Sequence, residues 1–368
     1  MYSPSYTITH LILNYIVKYE LAMQKIKTTP IPASYLSDLT DRIKAEEIDK
    51  MGELIGNSIG YSKALEIQRG KILPNNKFRL FNNYRSVEEF INIYNSQTFF
   101  KPSIELSIHI NKLLTKKVVD EWESGKLRIF SEKPSNIYDN WYDLRDFYPN
   151  LKPKQYFDEI YTWVLNPRVN VNKLIQLPLI MYEMIDKAPF THLNQITTIL
   201  TVAAVAKEYG YNPNNLIPFS KAINSISEDI KSAFKLAKSK RDLTIFIEAV
   251  LYTFSLTAIE VENMIINTYQ NQVKKYNKLN GMFNPRQIKL LEYLEVEKKI
   301  GRHEYSKLMG ISFMTAFRDL QELLTKGYLT QKGVGRGTFY TLKKGVNEEE
   351  GSNEIKAAKN DLQVFSDI

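Results

Sequence analysis

The chain has 368 residues, 43% of them hydrophobic, and a formal net charge of +8, enough for two or three domains with a sizeable core. It has no cysteine, and its four histidines (His10, His109, His192, His303) never fall at metal-ligand spacing. Disulfides, thiolate metal sites and thiol nucleophiles are therefore excluded, and the composition fits a reducing cytoplasm. From the N-terminus, residues 10–23 read as an amphipathic helix interrupted by Lys18 and Glu20. No small-residue cleavage site follows, so this is not a signal peptide. Residues 33–66 form a helical region expected to break at Gly52, Gly56 and Gly60. After a break at 74–78 come helices at 86–96 and 104–123. Residues 126–148, aromatic and rich in Asn and Asp around Pro134, read as a loop or hairpin. Helices resume at 155–165, at 172–185 with a kink at Pro178, and at 194–209, 219–238 and 241–276. No run of 18 apolar residues is present to span a membrane.

The best-marked stretch is 284–342. Asn284-Pro285-Arg286-Gln287 opens a helix: Asn is an N-cap, Pro tolerates the first position, and Gln can close a capping box. A short helix with Tyr305, Leu308 and Met309 stops at Gly310. Ser312 caps a third, whose Phe313, Ala316, Phe317, Leu320, Leu323 and Leu324 make one apolar stripe. After Gly327, residues 328–331 and 338–342 read as strands around the basic tip Gly333-Val334-Gly335-Arg336-Gly337. This is the pattern of a winged helix, with helix-turn-helix spacing across Gly310-Ile311. Thr315, Arg318 and Glu322, flanked by Met314, lie opposite the stripe. Ser312, Met314, Thr315, Arg318 and Arg336 are the candidate DNA contacts, and the Arg318 fork matches guanine edges and phosphate oxygens. A solvated helix face, or a protein–protein module, is the alternative reading.

Charge is arranged to suit DNA. Residues 281–344 hold twelve Lys or Arg against six Asp or Glu, while 345–368 hold two against six. The first is an electrostatic footprint. The second is a polar acidic tail expected to be disordered, and able to screen the basic module.

Upstream, four segments carry a resemblance: Asn83-Tyr84 ahead of a helix; the helix around His109 to Leu114; Gly125-Lys126-Leu127-Arg128; and Ala188-Pro189-Phe190-Thr191-His192-Leu193-Asn194-Gln195-Ile196 between two helices. In this order, and followed by a winged helix, they resemble the Fic family of AMP-transferring proteins. There the last segment would be the HPFxxGNGR signature and residues 131–148 the target-docking flap. The departures are chemical. The signature His, a general base, is replaced by Ala188, and the two glycines that let amides approach phosphate by Leu193 and Gln195. The two arginines are replaced by Ile196 and Ile199. Pro189, Phe190 and Asn194 remain. His192 stands where relatives often place a metal-binding acid and cannot stand in for the base. The inhibitory glutamate of such proteins is also missing, with Gly60 near its place.

The resemblance implies a mainly α fold: a Fic-like helical bundle with a short flap hairpin, then a C-terminal winged helix-turn-helix. Residues 1–100 would be the N-terminal part of the body, 101–280 its degenerate core, 281–344 the winged helix and 345–368 the tail. The expected function is a cytoplasmic DNA-binding regulator, with no catalytic residue, metal, cofactor or membrane contact. Its body would sense a partner or supply homodimer contacts. The alternative is a residual AMP-transferase using ATP and Mg²⁺. It is disfavoured because losing the base and the phosphate arginine should each cost about 10²-fold or more. A third reading, a nucleotide-binding pseudoenzyme reporting ATP to DNA, meets the same missing nest and arginines.

Overall fold

The structure is a computed structural model that describes residues 2–343 apart from 32, 95–100, 130–132, 136, 147, 149, 167, 281 and 334. The side chains of 33–34, 272–280, 295–296 and 336 also lie outside the description, as does the whole of the tail expected to be disordered. The chain divides into two compact units, Met1–Tyr269 and Gln270–Ile368.

The first unit is helical. Its elements are α1 (His10–Thr28), α2 (Ala33–Leu54), α3 (Tyr61–Gln68), α4 (Arg79–Ile93), α5 (Ile104–Thr115), α6 (Pro153–Val164), α7 (Lys173–Lys187), α8 (Asn194–Glu208), α9 (Phe219–Ser225), α10 (Ser227–Lys240) and α11 (Thr244–Asn280), the last running on into the second unit. Where residues 33–66 break is decided by packing. Gly56 and Gly60 take positive φ, the first just past the end of α2 and the second as the N-cap of α3. Gly52 stays inside α2, where a Cβ would come within 2.8 Å of the Asn57 carbonyl oxygen and 3.0 Å of the Phe81 ring. Its absent side chain is thus a close-approach device rather than a breaker. The expected helix at 219–238 divides at Ile226 (φ −130°). That at 104–123 stops eight residues early, with Lys117 left-handed just beyond it.

One hydrophobic core runs through this unit, from Ile12 and Tyr19 through Phe81, Ile110, Phe157 and Ile185 to Phe254 and Ile265. The α7–α8 hairpin is its centre, with nearly every residue buried, and α7 runs through Pro178 without ending. The stretch Thr244–Asn271 is long and apolar enough to cross a bilayer (mean hydropathy 1.5), but 56% of its apolar 18-residue window is buried in protein, as in a core helix. A buried polar network ties α2, α4 and α9 together. Glu47 accepts hydrogen bonds from the Tyr84 hydroxyl (2.8 Å) and the Ser220 and Lys221 amides (2.7 and 3.0 Å). Lys44 pairs with Glu88, which also accepts from Asn215 at 2.7 Å. Burial, then the Glu88 charge, push the Glu47 carboxyl up to about 7, against the pull of Lys44.

The second unit contains α12 (Pro285–Glu297), β1 (Ile300–Gly301), α13 (Arg302–Met309), α14 (Phe313–Thr325), β2 (Leu329–Lys332) and β3 (Phe339–Leu342). The sheet is antiparallel in the order β1-β3-β2, with Ile300 opposite Tyr340 and Leu329 opposite Leu342. The elements follow one another as α12-β1-α13-α14-β2-β3, three helices and a small antiparallel sheet. The capping box forms as expected: Asn284 accepts from the Arg286 and Gln287 amides, and Gln287 accepts from the Asn284 amide. β1, two residues long, carries no periodicity of its own. At the hairpin tip, Gly333 has φ +82°, and a Cβ there would collide with the Gly337 carbonyl oxygen. Its core gathers Phe283, Ile288, Leu291, Leu294, Tyr305, Ala316, Leu320, Leu323 and Tyr340.

Candidate functional site

Two places concentrate the sequence-predicted residues: the loop between α7 and α8, and the outer face of α14. The loop leaves α7 at Ala188 (φ +40°) and enters α8 at Leu193 (φ +56°), both left-handed. For residues with a Cβ this conformation costs about 1–2 kcal/mol each, so the surroundings must hold it. Asn194 supplies one clamp, exchanging two hydrogen bonds of 2.9 Å with the Phe190 backbone. Asn111 donates to the His192 carbonyl and to the Thr197 hydroxyl, both at 2.9 Å. Arg128 is the third: its side chain donates to the carbonyls of Ala188 (2.6 Å) and Lys187 (2.7 Å), and its amide to that of Pro189 (2.9 Å). Phe190 is fully buried and pairs with Leu127 in a single antiparallel bridge.

The described part of 126–148 does not form the expected flap hairpin. It runs alongside the loop, with Ser135 donating to the Thr191 carbonyl (2.7 Å), and contains one short 3-10 turn, Tyr142–Leu144. Several of its polar groups bond helix ends. Arg145 donates to the Ile185 carbonyl at 3.0 Å and pairs with Asp139 at 2.7 Å. The Asn140 amide donates to Gln195 Oε1 at 2.9 Å, and its side chain bonds the Leu54 carbonyl at the end of α2.

The electrostatics of the α8 N-terminus follow. A helix start attracts anions through its free amides and dipole. Here a buried carboxyl of the chain itself, Asp139, lies near the Gln195 amide, whose dipole favours its charged form. Burial raises the Asp139 carboxyl, while Arg145 and the surrounding donors pull it down. Around it Ala188, Leu193, Ile196 and Ile199 are buried, the last three as part of the main core. An apolar wall with an internal ion pair stands at this helix start. His192, partly buried, lies 3.1 Å from Glu123 Oε2. No group of three His, Cys, Asp or Glu among the described residues is placed to hold a metal. The loop therefore brings Ala188, Pro189, Phe190, His192 and Asn194 together without a titratable group at Ala188 to take a proton. Sequence reasoning missed the clamps Arg128 and Asn111 as loop supports, although both lie in the segments that carried the resemblance.

On α14, Ser312 accepts from the Thr315 amide at 3.1 Å as a true N-cap. The helix is held from behind by the buried Asp319, which accepts from Arg286 (3.1 Å), Asn284 (3.2 Å) and the Tyr305 hydroxyl (3.1 Å). This fixes which side faces out. Met314 is 59% exposed, and Arg318 is exposed and makes no hydrogen bond or ion pair among the described residues. Two sequence expectations change. Phe313 is not core: it is 49% exposed, with the Arg302 guanidinium over its ring at 5.0 Å and over Phe317 at 4.6 Å. Glu322 does not project freely, because Gln287 and Lys326 both bond it at 2.7 Å. The side chain of Arg336, at the tip, lies outside the described set.

No protein-family model matches the sequence, and no curated protein matches it either. Solved structures do. A Fic family protein from Desulfovibrio desulfuricans G20 aligns over 94% of this chain and 100% of its own, with TM-score 0.57 and 16% identity. A Fic domain containing signaling protein from Bacteroides thetaiotaomicron VPI-5482 aligns over 71% and 98%, with TM-score 0.51 and 16% identity. Fic-1 from C. elegans aligns over 70% and 71%, with TM-score 0.51 and 12% identity. The helical body of this chain thus has a Fic-like fold.

Proposed function

We propose that this protein is a cytoplasmic DNA-binding regulator whose Fic-like body has given up AMP transfer. The observation that carries the reading is the outer face of α14, where Arg318 stands exposed and, among the described residues, unpaired on a helix locked at the back by Asp319. A helix held in this way in a basic module suits insertion into a major groove. Ser312, Met314, Thr315 and Arg318 would face the groove, and Arg336 at the wing tip a phosphate. For the body, Ala188 offers no base, buried Ile196 and Ile199 occupy the arginine positions, and the buried Asp139 carboxyl lies near the Gln195 amide at the start of α8. These features oppose the AMP-transferase reading and support a role in sensing a partner or in pairing two copies. A footprint of the purified full chain on DNA upstream of its own coding region tests the proposal. A protected site supports it, and the absence of protection at low salt, where phosphate contacts are strongest, overturns it.

A further inference from the structure

Resting on the duplex-binding reading above, we infer that Met314 is a specificity residue that reads thymine methyl groups in the major groove, beside the base or phosphate taken by Arg318.

The orientation comes from the packing of α14. Ala316, Leu320 and Leu323 are buried against the other elements of the unit, and Asp319 is tied to α12 and α13. At 100° per residue Met314 lies about 200° around the helix from Ala316, and Arg318 follows it one turn later on the same outer line. The polar neighbours of this face are already engaged. Thr315 shares a 2.9 Å hydrogen bond with Ser312, and Glu322 is held by Gln287 and Lys326. The carboxylate that could accept from cytosine N4 is thus turned to its own module, which leaves a thioether beside a guanidinium.

The chemistry of the occupant follows from that pair. A major groove displays hydrogen-bonding edges and one apolar group, the C5-methyl of thymine. A methionine left 59% exposed at the front of a recognition helix finds in that methyl the apolar contact it lacks in the free protein. Its unbranched, polarizable chain can follow small shifts of the base. The apolar front is broader than Met314 alone, since Leu308 and Phe313, on either side of the turn into α14, are each 49% exposed. The charge around it is complementary to phosphate: Lys307 is exposed on α13, and 281–344 carries twice as many basic as acidic residues. An apolar front within a basic field fits a duplex better than an apolar protein partner.

The experiment uses the full-length protein and synthetic duplexes. Sites are first selected from a random duplex library. In the best site each thymine is then replaced singly by deoxyuridine, which removes the methyl and leaves the hydrogen-bonding edge unchanged. Affinity should fall about fourfold for each contacted methyl. Met314→Ala should bind the thymine and uracil duplexes equally, with an unchanged thermal midpoint because the side chain is exposed. Arg318→Ala should bind more weakly yet keep the thymine–uracil difference. A selected site bound equally with thymine or uracil by the wild type would overturn the role of Met314 while leaving the DNA reading intact. If no duplex sequence is enriched, the DNA reading fails and this inference fails with it.

Discussion

Asn194 and Phe190 hold each other through both hydrogen-bonding groups of the phenylalanine backbone, the amide giving to Oδ1 and the carbonyl receiving from Nδ2, each at 2.9 Å. A side-chain amide carries the acceptor and the donor for this on two adjacent atoms, without a charge. The pair closes a loop whose two ends are left-handed, and the Phe190 ring fills the space beneath.

Phe190→Ala should therefore cost about 3–5 kcal/mol of stability, as for other fully buried rings. Denaturant unfolding followed by far-ultraviolet circular dichroism measures it. A midpoint equal to that of the wild type would mean that the loop does not pack as described. Asn194→Asp, which loses the Nδ2 donor, should also be destabilising, by about 1–3 kcal/mol.

Arg145→Ala should be more damaging than its position in an irregular segment suggests. The ion pair with Asp139 is buried, the two side chains being 4% and 0% exposed. Removing one partner of such a pair costs about 3–5 kcal/mol because the other is left charged and dry. Thermal melts of Arg145→Ala and Arg145→Lys make the comparison, and the lysine variant should recover part of the loss.

Purified protein incubated with labelled ATP and Mg²⁺ should label neither itself nor a cell lysate. Ala188→His should not change this, since a base returned at that position would still lack the two phosphate arginines, whose places are taken by the buried Ile196 and Ile199. Label incorporated by the wild type and lost in Asn194→Ala would contradict the regulator reading of the body.

The Glu47 network gives a pH dependence. Its carboxyl is raised from 4.5 to about 7 in the folded protein, first by burial and then by Glu88. Between those values the folded state binds the extra proton, so stability should fall as pH rises from about 4.5 to about 7 and level off above. The contribution is at most about 3 kcal/mol. Unfolding free energies at pH 5 and pH 8 measure it. Glu47→Gln should flatten the profile in that window, whatever it does to the overall stability, because its amide does not titrate there.

On DNA, Arg318→Ala should lose about 1–3 kcal/mol on a specific site and much less on random duplex if the guanidinium meets a base edge. Arg336→Ala should instead weaken both and lower the salt slope by about one unit, as a phosphate contact does. Glu322→Gln should change little, because its carboxylate is already bound to Lys326 and Gln287. Gel-shift titrations at two salt concentrations separate these outcomes. If neither arginine alters any affinity, the second unit is a protein–protein module.

The elements of the second unit were legible because their signals are local: Asn284 and Gln287 three residues apart, Gly310 and Gly327 at helix ends, an apolar stripe on α14. Phe313 misled for the same reason, since its spacing says core while only the fold shows Arg302 stacked on it near the end of the stripe. In the body, the order of helices and the position of the 188–196 loop could be read. The contacts that shape it could not. Arg128 and Ala188 are sixty residues apart, and Asp139 meets the start of α8 only through tertiary folding. Nothing in the composition of 126–148 told a hairpin from a strap bound to helix ends, because both need the same Asn, Asp and Pro.

Asp319 sits on the hidden side of α14, yet it governs what the visible side can do. Three donors from two other helices converge on one carboxylate, so α14 cannot roll about its axis without breaking them together. The aim of Met314 and Arg318 is set when the unit folds, and a ligand meets a finished surface. Its arrival should then lose little affinity to ordering the helix and should be governed by diffusion and charge steering. An Asp319→Ala protein would keep every outward side chain and lose the direction in which they point.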